Sequence, residues 1–398
     1  MDKAHNPYEP GAGRPPAALV GRDQILDEWC EVVLPRGENG RSVQSIALYG
    51  LRGVGKTVLL SRLAQEARNR DWVVAQIEAG IDKSFSASLS ESLREPIFEI
   101  SKSASTQKVL KAIKSALRFK TTYSPESNTW NFGIDMNESG DGGVGTGEIE
   151  ADLTQLSRDI ALAAQSNGVG LAILIDEAQD LDKKELVAIC STVHQISQEG
   201  LPCAFVLAGL PGLPGVLVEA KTYSERLFTY FQVDSLDAQA AADALSIPAA
   251  HEGVDWEPEA INFVVEQTGG YPYFLQQYGQ ESWNVATQAT QISLLDAQIG
   301  GERANASLDQ GFFRARWERA TPLERKYMFA MAELNEKKLN DHEVSASLVA
   351  GRINKSVQAA GPIRSGLISK GIIYSSSRGF VSFTVPRMPE FILRQKID

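Results

Sequence analysis

The run Gly50-Leu51-Arg52-Gly53-Val54-Gly55-Lys56-Thr57 has the residue types and spacing of a loop that wraps phosphate oxygens. The pattern is G-x-x-x-x-G-K-S/T. Its glycines let backbone N–H groups curl around an anion, and the start of the following helix adds partial positive charge. Lys56 is expected to reach the β- and γ-phosphates of ATP, and the Thr57 hydroxyl to ligate Mg²⁺. On this reading Gly50, Arg52, Gly53, Val54, Gly55, Lys56, Thr57 and Val58 bind nucleotide, and Lys56 also serves catalysis. A second constellation is Asp176-Glu177, directly after the apolar run Leu-Ala-Ile-Leu-Ile at 171–175. An acid at the end of a buried strand can hold Mg²⁺ through its water shell, the role assigned to Asp176. Glu177 beside it is the candidate for polarising the attacking water. Asp-Glu pairs more often begin helices; the preceding apolar run and the upstream phosphate loop favour the chemical reading.

These groups need a scaffold, and the hydrophobic pattern supplies one. Residues 45–49 read as a buried strand leading into the phosphate loop, and 57–70 as the helix leaving it. Residues 72–78, 171–175 and 203–208 read as further strands; 149–166 and 183–198 read as helices. Residues 84–117 look helical with an interruption at Pro96. Strands alternating with helices predict a parallel α/β sheet. Residues 121–147 are rich in Ser, Asn and Gly, with a strand-like piece at 130–136 followed by an acidic loop, read as an insertion. From 237 to about 289 the pattern is helical without strands, a small lid; 290–320 reads as a polar linker plus a helix around 312–320. The implied division is a tail at 1–18, a core at 19–236 with the insertion at about 121–148, a lid at 237–300 and a C-terminal module at 301–398.

Composition bounds the partners. The chain has 398 residues and a formal net charge of −11, but the charge is uneven. Residues 301–398 hold 16 Lys+Arg against 10 Asp+Glu, a net +6, so the first 300 carry −17. Residues 344–388 contain no acid at all, a distribution that fits a basic binding module on an acidic engine. Cys30, Cys190 and Cys203 are scattered, as are His5, His194, His251 and His342; none has ligand spacing, which argues against a zinc site. No apolar run reaches about 18 residues, and residues 1–16 lack a leader pattern, so no membrane partner and a cytoplasmic location are expected.

The chain resembles the AAA+ ATPases, in the branch near origin-recognition initiators and the related archaeal-type STAND ATPases. The resemblance rests on Val20-Gly21-Arg22-Asp23, the phosphate loop, the 171–180 segment, Ser224-Glu225-Arg226-Leu227-Phe228 and Gly269-Gly270-Tyr271-Pro272. It implies an AAA+ P-loop NTPase core of parallel sheet with a helical lid. It also implies that Val20, Gly21, Arg22 and Pro272 contact nucleotide, though a purely structural turn at Gly269-Gly270 is the competing reading. Arg226 falls near where such proteins carry an arginine that reaches a neighbouring subunit's γ-phosphate; an intramolecular ion pair is the equal alternative. One departure matters. Where AAA+ enzymes usually bear a polar residue, the strand at 203–208 ends Leu207-Ala208-Gly209-Leu210-Pro211, so slow hydrolysis and a switch-like use of nucleotide are expected.

In the C-terminal module, helices followed by strands at 372–374 and 380–385 predict a winged helix-turn-helix. A supporting helix would lie at 344–350, a recognition helix within 356–369, and a wing tip at 375–379. Gly371 would stop the recognition helix. Pro362 implies either that this helix starts near Gly361 or that it kinks there. Lys355, Arg364, Lys370 and Arg378 are the candidates for contacting duplex DNA. The competing reading is a packing or protein-interaction module. Together these features predict an ATPase (ATP + H₂O to ADP + phosphate) that binds DNA and assembles as a homo-oligomer or with a partner protein. The alternative is a nucleotide-switch scaffold, in signalling or defence, without DNA contact.

Overall fold

The computed structural model describes residues 1–11, 13–80, 84–103, 107–123, 148–336 and 343–395. The strand-like piece expected at 130–136 and its acidic loop lie outside them. Five parallel strands form the central sheet: β1 (Ser45–Tyr49), β2 (Val73–Glu78), β3 (Leu171–Asp176), β4 (Cys203–Gly209) and β5 (Phe228–Gln232), in the order β2-β3-β4-β1-β5. Every residue of β3 and β4 is buried, as expected of strands covered by helices on both faces. β1 pairs with β4 through Leu48 and Ala208, while β2 pairs with β3 through Ile77 and Ile175. This arrangement brings the C-terminal ends of β1 and β3, and with them the phosphate loop and Asp176, to the same edge of the sheet.

Helix Lys56–Asn69 leaves the phosphate loop with Gly55 as its N-cap at φ 93°, a conformation open to glycine and costly for other residues. The stretch expected as one interrupted helix is three: Phe85–Ser92, Arg94–Ser103 and Gln107–Tyr123. Pro96 sits in the first turn of the second, where its missing N–H costs nothing.

Four helices, Ala238–His251, Pro258–Thr268, Pro272–Val285 and Leu294–Ser307, occupy the stretch expected as the lid, joined by a short parallel pair, β6 (Asp255–Trp256) and β7 (Gln291–Ile292). The N-terminal residues, read from sequence as a tail, are sewn onto it. Tyr8 is buried, its hydroxyl donating to the Leu245 carbonyl and accepting from Trp256 Nε1 at 2.8 Å. Trp283 Nε1 donates to the Asp2 carbonyl at 2.8 Å, and Asn6 Nδ2 donates to the Gln280 carbonyl at 3.0 Å.

The stretch expected as a polar linker plus a helix is instead helical from Leu294 to Glu318, after the strand β7. Leu294–Ser307 passes into a π-helical turn, Leu308–Phe313, and then Arg314–Glu318. Ser293 and Asp296 cap its start reciprocally. Beyond it come helix Pro322–Glu336, β8 (Val344–Ser345), helices Ala346–Arg352 and Val357–Ser369, β9 (Ile373–Tyr374), β10 (Phe380–Phe383) and helix Met388–Leu393. The three strands are antiparallel in the order β8-β10-β9. Helix Val357–Ser369 starts at its Ser356 cap, not near Gly361, and Pro362 lies within it. The proline deprives the Gln358 carbonyl of its usual i+4 donor. Among the described residues no helix is long and apolar enough to cross a membrane.

Candidate nucleotide-binding site

The phosphate loop, the N-terminal strap and the lid enclose a cavity of about 390 Å³. Lys56 is buried, and its Nζ donates to the carbonyls of Gly50 at 2.9 Å and Leu51 at 2.7 Å. Burial pushes this ammonium down to about 8; the nearby carboxylates of Glu177 and Asp176 oppose the shift. Thr57 Oγ1 donates to Asp176 Oδ2 at 2.6 Å, joining the two Mg²⁺ candidates directly. Asp176 Oδ1 accepts from the Glu177 N–H at 2.9 Å. Burial raises the Asp176 carboxyl, and those two hydrogen bonds hold it back. A hydroxyl and a carboxylate oxygen at the foot of a phosphate loop suit a hard cation such as Mg²⁺.

Glu177 adopts a left-handed backbone conformation, φ 48° and ψ 39°, which costs a non-glycine residue about 1–2 kcal/mol. Its Oε2 accepts from Gln179 Nε2 at 2.5 Å and faces Arg52 Nη2 at 3.4 Å. Arg52 belongs to the phosphate loop yet also meets the C-terminal module. Its backbone N–H donates to the Thr384 carbonyl at 3.2 Å, and its guanidinium lies against Gly371.

Most residues expected to contact nucleotide line the cavity: Val20, Arg22, Arg52, Gly53, Val54, Gly55, Lys56, Thr57, Val58, Asp176, Glu177 and Pro272. Gly21 and Gly50 do not. Gly21 packs against Leu236 and Ala240, and Gly50 against the Val233 carbonyl. Arg22 lines the wall, but its Nη2 is committed to backbone, donating to the carbonyls of Val54 at 3.0 Å and Asp234 at 2.6 Å. It ties the phosphate loop to the segment after β5. Arg226 lies away from the cavity, exposed at the end of the turn Thr222–Arg226, and forms no ion pair among the described residues.

Two cavity arginines were missed in the sequence. Arg316 reaches the wall from the helix after the lid, lying 4.0 Å over the Phe312 ring and donating to the Phe312 carbonyl at 2.7 Å. Burial lowers its pKa. The Phe312-to-Arg316 spacing of one helical turn was the available signal. Arg14, 3.6 Å from Glu9, reaches the cavity from the N-terminal strap. Outside that lining, the buried hydroxyl of Tyr271 has no partner among the described residues and stands over Gly53 of the phosphate loop.

The DNA candidates are dispersed over the C-terminal module. Arg378 is exposed between β9 and β10; Lys355 and Arg364 are half-buried. Lys370 already has a partner: its Nζ donates to Glu324 Oε2 at 2.5 Å. The exposed positions of helix Val357–Ser369 are Val357, Gln358, Ala359, Pro362, Ser365 and Ser369, all uncharged.

Residues 18–206 match the profile of the AAA ATPase domain, and residues 310–392 match that of a domain of unknown function, DUF8462. No curated protein matches the sequence. Among solved structures, the chain is similar to the Walker-type ATPase PABY2304 of Pyrococcus abyssi, at 15% identity and a TM-score of 0.56, over 96% of this chain and 98% of that one. It is similar more loosely to the ADP form of the Aeropyrum pernix ORC2 protein, at 14% identity and a TM-score of 0.48, over 96% and 95%. The Aeropyrum pernix ORC1 protein in complex with DNA follows at 15% identity and a TM-score of 0.43, over 95% and 93%. Likenesses as loose as the last two say nothing further about this chain. The strand order and the phosphate loop, with the profile match over residues 18–206, give the chain the fold of the AAA+ P-loop NTPases.

Proposed function

We propose that the chain binds Mg²⁺–ATP in the cavity between core and lid and hydrolyses it, with nucleotide state governing how the C-terminal module engages duplex DNA. The observation that carries the ATPase part is the 2.6 Å bond between Thr57 and Asp176, with Lys56 and Glu177 lining the same cavity. Thr57 and Asp176 would hold Mg²⁺, which would neutralise charge on the β- and γ-phosphates. Lys56 would exchange its two loop carbonyls for phosphate oxygens. Glu177 would orient water for attack on the γ-phosphorus and take its proton. Val20 and Pro272, on the strap and lid sides of the cavity, would bracket the base. Arg226, exposed and without an ion pair among the described residues, would serve a neighbouring subunit in a homo-oligomer.

The division into core at 19–236, lid at 237–300 and winged helix at 301–398 follows from the same reading. The order helix, strand, two helices, two strands supports a winged helix for the last of these. The Arg52-to-Thr384 bond supports coupling, since any phosphate that reshapes the loop must act on the module. Lys355, Arg364 and Arg378 would meet DNA phosphates in a segment free of acid. The uncharged exposed face of helix Val357–Ser369 favours a second reading, a switch whose module meets a protein instead.

Glu177→Gln should bind ATP and trap it; full turnover in that variant would refute the assigned base. For the module, an electrophoretic shift assay with duplex DNA across a salt series decides. Binding that weakens with salt, and that Arg364→Glu reduces, supports DNA. No shift at low salt with ATP present supports the protein-binding switch.

A further inference from the structure

The inference here rests on the reading of Glu177 as base and concerns how that base is held. We propose that Gln179 is a positioning residue for Glu177, supplying from a different element the polar link that the end of β4 lacks. β4 closes with Leu207, Ala208 and Gly209 and runs on into Leu210 and Pro211, so no hydroxyl or amide side chain projects from it toward the site. Gln179, in the turn Ala178–Asp180 just after Glu177, reaches across to that strand end. Its Oε1 accepts from the Leu210 backbone N–H at 2.9 Å, and its Nε2 donates to Glu177 Oε2 at 2.5 Å. The orientation of the amide follows from its partners. A backbone N–H can only donate, so the carbonyl oxygen must face Leu210 and the NH₂ must face the carboxylate.

The neighbourhood is shaped for this bridge. A Cβ at Gly209 would stand 2.8 Å from Gln179 Oε1, so glycine there leaves the amide its place. Arg52 Nη2 addresses the same carboxylate oxygen at 3.4 Å. Both donors therefore act on Oε2, and Oε1 of Glu177 has no protein donor among the described residues. A carboxylate gripped through one oxygen presents the other in a fixed direction, which a water-orienting base needs. The left-handed backbone at Glu177 sets the root of the side chain; Gln179 and Arg52 set its tip. The bridge also gives the end of β4 a route to the base without a polar side chain of its own.

The test is Gln179→Met, which keeps length and volume but cannot donate to Glu177 and accepts only weakly through its sulfur. Steady-state turnover, ATP affinity by fluorescent-analogue titration and thermal melting are measured on the full chain, alone and in the Glu177→Gln background. The expected result is a fall in kcat of about 10–100-fold with ATP affinity unchanged within about twofold. In the Glu177→Gln background, single-turnover hydrolysis should show no additional loss, because a residue acting through Glu177 has nothing left to position. Gly209→Ala, which crowds the amide but retains it, should lower kcat in the same direction. Turnover by Gln179→Met within twofold of the parent overturns the proposal, as does a loss that multiplies with that of Glu177→Gln. Full turnover in Glu177→Gln alone would instead remove the base itself, an outcome distinct from the failure of Gln179.

Discussion

The buried ammonium of Lys56 makes ATP affinity depend on pH in a calculable way. In the chain by itself burial lowers this group from an ordinary 10.5 to about 8. Contact with the β- and γ-phosphates would favour the charged form and return the pKa to the ordinary value or above. Binding then takes up a proton wherever the free protein has lost one. Affinity is therefore fully present below pH 8 and declines above it, by about tenfold between pH 7 and pH 9, or about 1.4 kcal/mol. The same shift has the opposite sign for folding. Between pH 8 and the unfolded value, the unfolded chain holds a proton that the folded chain has released, so stability without nucleotide rises with pH. That rise ends near pH 10, where Tyr8 and Tyr271, held protonated by burial, begin to favour unfolding. Isothermal titration with Mg²⁺–ATP from pH 7 to pH 9, beside urea midpoints over the same range, reads both slopes. Lys56→Arg, whose guanidinium does not titrate here, should abolish the decline in affinity. An affinity that stays flat to pH 9 in the parent chain would refute the reasoning.

Other perturbations follow from the same geometry. Arg316→Ala removes a guanidinium from the cavity wall and should weaken ATP binding by about tenfold or more, the scale of one charge-assisted hydrogen bond, as read by fluorescent-nucleotide titration. Tyr8→Ala deletes a buried ring with hydrogen bonds to Leu245 and Trp256, and should lower stability by about 3–5 kcal/mol in urea unfolding. Arg226→Ala should leave ATP affinity unchanged and reduce turnover only at protein concentrations where the parent's specific activity has risen with concentration. Equal loss at every concentration would contradict a role between subunits.

What was legible in the sequence followed from contiguity. The phosphate loop, Asp176 and Glu177 carry their chemistry within short runs, and the adjoining strands β1, β3 and β4 are apolar because helices cover both faces. β5 escaped notice because an edge strand of mixed burial, Phe-Thr-Tyr-Phe-Gln, has no continuous apolar run. The helix from Leu294 escaped because its inward positions are small or acidic, Asp296, Ala297, Gly300 and Gly301, while Leu295 and Ile299 face outward, although Ser293 and Asp296 spelled a capping box. Arg22 shows the harder limit. The resemblance implied a nucleotide contact, and Arg22 does line the cavity, but the carbonyls that hold its guanidinium belong to Val54 and Asp234, brought near only by the packing of the sheet. Lys370 shows the same limit, since nothing local announces Glu324 as its partner across the module. Gln179 is the converse case. Nothing in the sequence singled it out, and the gap at the end of β4 looked like a missing function. Each observation explains the other only when Leu210 and Glu177 are seen at opposite ends of one amide.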